Sequence, residues 1–317
     1  DVPKPVLDEK KNPIDANYVI LKVHYAGVCG TDKGIWHRQA FKDAILNTID
    51  EQIKNSGNPY RIIGHEFFGE VVEVGSKVKE VKKGDFVACE SHMVCNKCFQ
   101  CLNGQKNVCT NEKILGISVD GGFAEYAKVP AQVAWKTDTS KIRPEIAGLQ
   151  EPFGNAVHAA SKVDIKGKTV AIFGLGPIGM FLTIIVRGLG ASSIIGIEPN
   201  PIAEDMAKKL GIDYVIPLQQ AQGASPKDKP YRHDAEVADE IKKITNGLGV
   251  DVAFEMAGFN DSVNNAIASV RRGGDVILFG LKTGDFVFED YNRLVMKGIT
   301  MHCVAGRQIW ETWNITK

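Results

Sequence analysis

The chain has no net charge, because 38 lysines and arginines balance 38 aspartates and glutamates. Proteins that grip nucleic acid or an anionic membrane need a cationic surface, so neither partner is expected, and small molecules are. Internal repeats and low-complexity tracts are also missing, which excludes repeat architectures. The opening Asp1-Val2-Pro3-Lys4-Pro5 lacks the positive head and apolar stretch of a secretory leader, so no signal peptide is expected. Uncharged runs are short of what a membrane helix requires. The longest, Val170 to Val186, is broken near its start by Gly174, Gly176, Pro177 and Gly179, and reads as a strand, a turn and a helix. No disulfide framework is legible either: the seven cysteines are odd in number, and four crowd between Cys95 and Cys109. That crowding reads as metal ligation in a reducing cytoplasm.

With 317 residues, 44% hydrophobic and 24% charged, the chain is long enough for two globular domains. Up to about residue 150 the texture is short β-rich segments, Tyr18 to His24, Gly69 to Gly75, Phe86 to Glu90 and Phe123 to Val129, separated by Gly, Asp and Lys turns. This predicts an irregular, mostly-β domain over 1–150. From 151 to 317 the texture is α/β. Strands are expected at Thr169 to Phe173, Ser193 to Glu198, Tyr214 to Ile216, Val250 to Glu255, Asp275 to Phe279 and Thr300 to Val304. Helices fall between them, near Ile178 to Leu189, Pro201 to Leu210, Ala235 to Thr245, Asp261 to Val270 and Asp290 to Met296. Six strands joined by helical crossovers predict a doubly wound parallel sheet of the Rossmann type. The polar stretch Gln219 to Tyr231 reads as an exposed loop.

Gly174-Leu175-Gly176-Pro177-Ile178-Gly179 follows the first of these strands and opens a helix. There Gly174, Gly176 and Gly179 allow a tight turn and let a helix N-terminus approach a pyrophosphate. Alone the pattern is weak, since a glycine turn in an α/β core can bind nothing. Here Glu198 closes the second strand at about the spacing expected of a ribose-diol acceptor. Its carboxylate would accept from the 2′- and 3′-hydroxyls of NAD and repel a 2′-phosphate, and no Arg or Lys follows before Lys208. NAD is the cofactor expected.

Cys95-x2-Cys98-x2-Cys101-x7-Cys109 sets four soft ligands in a short polar lobe. A structural zinc held by four thiolates fits that set. Four-iron clusters use similar spacing, although they usually carry a proline after the last cysteine, where Thr110 stands here. A second set is dispersed: Cys29, His65, Glu66 and Glu151. Singly, each has an ordinary explanation in a core or on a surface. Together, three or four of them would suit a catalytic zinc with one position left open for water or substrate.

Gly64-His65-Glu66-x2-Gly69-x-Val71-x2-Val74-Gly75, Lys83-Gly84-Asp85-x-Val87, the four-cysteine lobe, Gly121-Gly122-Phe123-Ala124-Glu125-Tyr126 and the glycine turn resemble the zinc-containing medium-chain alcohol dehydrogenases over nearly the whole chain. The resemblance implies a GroES-like catalytic domain before the Rossmann domain and two zinc ions per chain. It implies that Cys29 and His65 bind the catalytic ion, with Glu66 and Glu151 as direct or water-mediated ligands. Thr31 is placed as in relatives whose hydroxyl passes the substrate proton toward solvent; its plainer reading is a turn or N-cap residue. Glu151, where liver-type enzymes have Cys, points to the polyol and threonine dehydrogenase branches. Retained ligands argue against a non-catalytic, crystallin-like relative, and the lobe argues against a zinc-free quinone reductase.

Substrate choice divides the motifs. Glu151-Pro152-Phe153-Gly154-Asn155-Ala156-Val157-His158, Gly306 to Trp313 and His92 resemble threonine dehydrogenases, which implies that His92 and Asn155 contact substrate. Yet Gly34 stands where those enzymes carry a relay His, with His37 about one helical turn further on. The 37–60 stretch is longer than theirs and contains an amphipathic helix, Phe41 to Lys54, with Phe41, Ala44, Ile45, Ile49 and Ile53 as its apolar face. A polyol, sugar or cyclitol such as an inosose is therefore the expected substrate, and L-threonine the alternative. By analogy with relatives, a homodimer or homotetramer would form around the last strand, Thr300 to Val304. Relatives also begin one strand earlier and continue past Trp313, so a C-terminal return to the catalytic domain is expected to be missing.

Overall fold

A computed structural model describes residues 2–56, 58–218, 235–281, 285–288 and 290–315. Its backbone divides into one unit of 1–152 with 308–317 and a second of 153–307. The expected boundary at residue 150 differs in one respect: residues 308–317, assigned above to the nucleotide domain, cluster with the first unit. Trp313 explains this, because it is buried among Phe68, Ala88 and Ala147, and its indole N–H donates to the buried Glu90 carboxylate at 2.6 Å.

In the first unit, seven strands occur among the described residues: β1 (Tyr18–Gly27), β2 (Glu66–Val74), β3 (Phe86–Cys89), β4 (His92–Met93), β5 (Lys113–Ile114), β6 (Tyr126–Pro130) and β7 (Ala134–Lys136). Five make an antiparallel sheet in the order β6-β1-β2-β3-β7, and β4 and β5 form a separate ribbon. Side-chain alternation sends adjacent Phe67 and Phe68 to different cores: Phe67 joins Val19, Leu21, Val71 and Val129, and Phe68 joins Trp313. The expected strand from Phe123 begins only at Tyr126. Residues 121–123 instead donate their N–H groups to the irregular segment before β2, Gly121 to Ile62 O, Gly122 to Gly64 O and Phe123 to Ile63 O. Helices α1 (Gly30–Trp36), α2 (Lys42–Ser56), α3 (Phe99–Leu102) and α4 (Pro144–Ala147) follow in chain order, and α5 (Gln150–Ala160) begins in this unit and has most of its residues in the second.

The face expected for α2 is shifted. Phe41 and Ile53 are exposed, and the half-buried residues are Ile45, Thr48, Ile49 and Gln52. Two polar side chains therefore face inward, where both find partners: Gln52 donates to Tyr60 O at 2.8 Å, and Thr48 accepts from Arg61 at 3.3 Å.

Among the described residues of the second unit there are six parallel strands: β8 (Thr169–Phe173), β9 (Ser193–Glu198), β10 (Tyr214–Pro217), β11 (Val250–Glu255), β12 (Val270–Leu278) and β13 (Thr300–Cys303). Their order is β10-β9-β8-β11-β12-β13, the doubly wound arrangement with its switch between β8 and β11. Both faces are covered, as the apolar strands require. Val170 and Ile172 pack with Leu182 and Val186 of α6 (Pro177–Gly188) and Ala207 of α7 (Pro201–Lys209). Ala171 and Phe173 pack with Val237 and Ile241 of α8 (Ala235–Ile244) and Val263 and Ile267 of α9 (Asn260–Ser269). Helix α10 (Tyr291–Lys297) starts at Asp290, whose carboxylate accepts the Arg293 N–H, and α11 (Glu311–Ile315) belongs to the first unit. The Gln219 to Tyr231 stretch lies outside the described residues. No helix among the described residues is long and apolar enough to cross a membrane.

Candidate active site and metal centres

Strand pairing assembles the dispersed set. Gly27 at the end of β1 lies opposite Glu66 at the start of β2, so Cys29, the N-cap of α1, meets His65 and Glu66 although the sequence separates them. One ligand atom from each of the three lies within 4.8 Å of the others. A Cβ at Gly27 would fall 2.5 Å from Glu66 Oε2, so a side chain there would displace that carboxylate. Glu151 lies outside that trio. It is buried at the start of α5 and accepts from Ser91 Oγ at 2.7 Å, and its charge acts on both His65 and Glu66. Thr31 is half-buried in the first turn of α1.

Sequence reasoning missed Asp32. Its buried carboxylate accepts the Cys29 N–H through Oδ2 at 2.9 Å and faces His65 Nδ1 through Oδ1 at 3.4 Å. Neither Oδ1 nor Nδ1 has another partner among the described residues. An N–H on Nδ1 directed at Asp32 leaves Nε2, 3.9 Å from Glu66 Oε1, as the ligand nitrogen. The spacing Cys29-x2-Asp32 was the available signal. Burial alone would lower the His65 pKa, but Asp32, the Cys29 thiol and the Glu151 charge outweigh it and push it up to about 10. Burial and the Glu151 charge push Glu66 up to about 7, against the opposing pull of His65. Two carboxyls, an imidazole and a thiol this crowded and dry call for a cation, and a sulfur, nitrogen and oxygen donor set suits zinc.

The lobe is tighter. Cys95, Cys98, Cys101 and Cys109 all place Sγ within 4.8 Å of one another, with Cys98 to Cys109 at 3.8 Å and Cys109 to Cys95 at 3.5 Å. Four thiolates bonded tetrahedrally to one ion at about 2.3 Å stand about 3.8 Å apart. Thiolates on four separate irons would be spread wider, so a single ion is the better fit. The chain supplies the charge compensation. Cys98 N–H donates to Cys95 Sγ at 3.3 Å, Cys95 N–H donates to Cys109 Sγ at 3.4 Å, and the Asn111 amide donates to Cys95 Sγ at 3.6 Å. Backbone donors lower Cys95 and bring Cys98 down to about 5, whereas burial raises Cys101 to about 12 and raises Cys109.

In the second unit, Gly174 has φ +96°, a left-handed conformation, and Gly179 approaches it so closely that a Cβ would meet Gly174 O at 2.1 Å. Pro177 is the first residue of α6, followed by Ile178. Open space surrounds the position a Cβ would take at Gly176, the room a pyrophosphate needs. Glu198 is buried at the end of β9, where its carboxylate accepts the Leu175 N–H at 2.7 Å and the Asn200 N–H at 3.0 Å. It is thus fixed against the glycine turn from the neighbouring strand.

The residues expected at the substrate are each anchored. His92 Nδ1 lies 2.8 Å from Glu112 Oε2, and the His92 backbone N–H donates to Glu90 Oε1. Asn155 Oδ1 accepts from the buried Arg307 at 3.0 Å. Position 34 is closed: Gln39 and Ala40 N–H groups donate to Gly34 O, and a Cβ would stand 2.9 Å from Ala40 Cβ. No histidine fits there without moving the turn that leads into α2. His37 caps α1 and is exposed.

Residues 15–139 match the alcohol dehydrogenase GroES-like domain, and residues 177–315 match the zinc-binding dehydrogenase family. The L-threonine 3-dehydrogenase of Pyrococcus horikoshii is 39% identical over 313 residues, 99% of this chain and 80% of that protein. That of Bacillus subtilis is 34% identical over 315 residues, 98% of this chain and 82% of that protein. Among solved structures, galactitol-1-phosphate dehydrogenase from Escherichia coli shares the fold with a TM-score of 0.79 at 23% identity, covering 100% of this chain and 83% of that one. With these matches, the chain belongs to the zinc-containing medium-chain alcohol dehydrogenases, in their threonine and polyol dehydrogenase branch, and is an NAD-dependent zinc oxidoreductase.

Proposed function

We propose that the chain oxidises the 3-hydroxyl of L-threonine, or of a closely similar 2-amino-3-hydroxy acid, with NAD. The carrying observation is that threonine dehydrogenases match it end to end, through the His92, Asn155 and Arg307 segments whose anchoring is described above. Cys29, His65 and Glu66 would hold the catalytic zinc, with Glu151 beside them, and Cys95, Cys98, Cys101 and Cys109 a structural one. When bound, the catalytic ion is the Lewis acid that makes the substrate hydroxyl acidic. Thr31 would take the hydroxyl proton, and Asp32, facing His65 Nδ1 at 3.4 Å, would leave Nε2 as the ligand nitrogen. Gly174, Gly176, Pro177, Ile178 and Gly179 would hold NAD, the hydride acceptor, and Glu198 would accept from its ribose hydroxyls. Residues 1–150 then supply the catalytic domain and the doubly wound sheet the cofactor domain. A reducing, cytoplasmic setting suits seven unpaired cysteines, and a homodimer or homotetramer remains the assembly to test by light scattering.

A second reading rests on position 34. The closed turn over Gly34 leaves the threonine relay without its histidine, and it leads into α2, so a polyol, sugar or cyclitol is the rival substrate. NADH formation by zinc-replete protein on threonine, linear polyols, sugars, inositols and inososes separates the two. Highest kcat/KM with threonine upholds the first reading. No turnover of threonine beside turnover of a polyol or inosose replaces it with the second.

A further inference from the structure

The segment that delivers His65 and Glu66 has no regular structure of its own, yet it is bonded at every step. Ile62 N–H donates to Asp120 Oδ1 at 3.0 Å, and the carbonyls of Ile62, Ile63 and Gly64 accept from Gly121, Phe123 and Gly122. The crossing is too tight for side chains: a Cβ at Gly121 would lie 2.0 Å from Gly64 O, and one at Gly64 would lie 2.3 Å from the Phe123 ring. At the outer end of this clamp stands Arg61, whose side chain is only 4% exposed. Its guanidinium reaches Asp120 Oδ1 at 3.7 Å and donates to Thr48 Oγ1 of α2 at 3.3 Å. One turn further along α2, Gln52 holds Tyr60 O at 2.8 Å. The same helix meets the ribbon that carries His92, through Glu51 and Lys113 at 3.8 Å, Lys113 being paired with Met93 across β4 and β5.

A guanidinium withdrawn from water and shared between a helix and a carboxylate is costly to keep unless its position is used. We propose that Arg61 is a positioning residue: braced between Thr48 and Asp120, it makes helix α2 the support that holds the 61–64 segment, and with it His65 and Glu66, in the geometry of a metal site. This rests on the reading of Cys29, His65 and Glu66 as the catalytic zinc site. Removing the brace frees the segment at one end without touching a ligand, so ion retention should suffer at this site and not in the four-cysteine lobe.

The test is zinc release from full-length protein to a chromogenic chelator, followed by absorbance. The parent should release two ions per chain in two phases, and His65→Ala, lacking one, identifies which phase belongs to this site. Arg61→Ala should accelerate that phase by on the order of tenfold and leave the other alone. Arg61→Lys, able to keep one partner, should restore part of it. Thr48→Val, a mild change on a surface helix, should accelerate the same phase by about threefold and decides the matter if Arg61→Ala does not fold. Unchanged release in both variants, or equal acceleration of both phases, overturns the proposal. A parent that holds one ion, with His65→Ala no different, overturns the premise instead.

Discussion

The two ligand clusters of the first unit are built on opposite plans. In the lobe, four identical donors lie within one short stretch, share N–H···S bonds and would enclose a single ion on all sides. In the other, three different donors come from the cap of a helix, the irregular segment before β2 and the first residue of β2, and Glu151 stands nearby on another helix, bonded to Ser91. A closed shell of thiolates supplies folding energy. An open shell of mixed donors gives up some of that energy and leaves a position for chemistry.

Breaking each cluster should therefore produce opposite phenotypes. Cys109→Ser removes a buried ligand whose lobe also packs Val94 and Ile309, so we expect the lobe to open and the first unit to melt about 10 °C lower or more, by circular dichroism. His65→Ala should do the reverse. Its kcat/KM should fall by about a thousandfold or more, since several kcal/mol of Lewis-acid stabilisation go with the ion, while the melting temperature shifts by only about 3 °C. If the two variants lose stability and activity in the same proportion, the division of labour drawn here is wrong.

The lobe was legible in the sequence because its ligands are neighbours, and spacing alone carries the geometry. The open site was legible only through family motifs, since nothing local predicts that Gly27 and Glu66 pair across β1 and β2. Asp32 escaped for the same reason: an acid three residues after Cys29 reads as an ordinary helix cap until His65 is seen beside it. The second unit was easier. Apolar strands buried on both faces stand out as runs, and β8, β9 and β11 begin and end where their Val, Ile and Ala content says. Helix α5 was overlooked because Glu151, Pro152, Gly154, Asn155 and His158 break its apolar pattern, and they do so because several of them bond to other segments. The face of α2 was misplaced for a related reason: Thr48 and Gln52 point inward as hydrogen-bonding groups, which a count of apolar residues cannot register.

Between the glycine turn and the metal clusters the contrast is one of charge. The turn offers backbone N–H groups and, from the neighbouring strand, one carboxylate: Glu198 accepts the Leu175 N–H of the turn and the Asn200 N–H beyond β9. Glu198→Ala should weaken NAD by about tenfold in KM and narrow its preference over NADP by a similar factor, because a ribose acceptor and a repulsive charge are lost together. An unchanged NAD to NADP ratio would show that Glu198 only caps β9.

The smallest expected effect concerns a histidine that takes no part in either cluster. His158 of α5 is buried, with Nδ1 2.8 Å from Gly306 O and Nε2 without a partner among the described residues. Burial lowers its pKa, against the raising influence of the Gly306 carbonyl, and Lys162 and Arg307 lower it further, so the neutral ring is the folded form. Here the folded pKa lies below the unfolded value of about 6.5. The stability this ring contributes is complete above pH 6.5, and it declines as pH falls and the unfolded chain takes up a proton that the folded chain refuses. One proton limits the slope to about 1.4 kcal/mol per pH unit. The second unit should therefore melt progressively lower from pH 7 to pH 5, and His158→Gln, which can still donate to Gly306, should flatten that decline at a small cost at pH 7. A parallel decline in both proteins would mean that the acid sensitivity arises elsewhere, with the metal ligands of the first unit as the next groups to titrate.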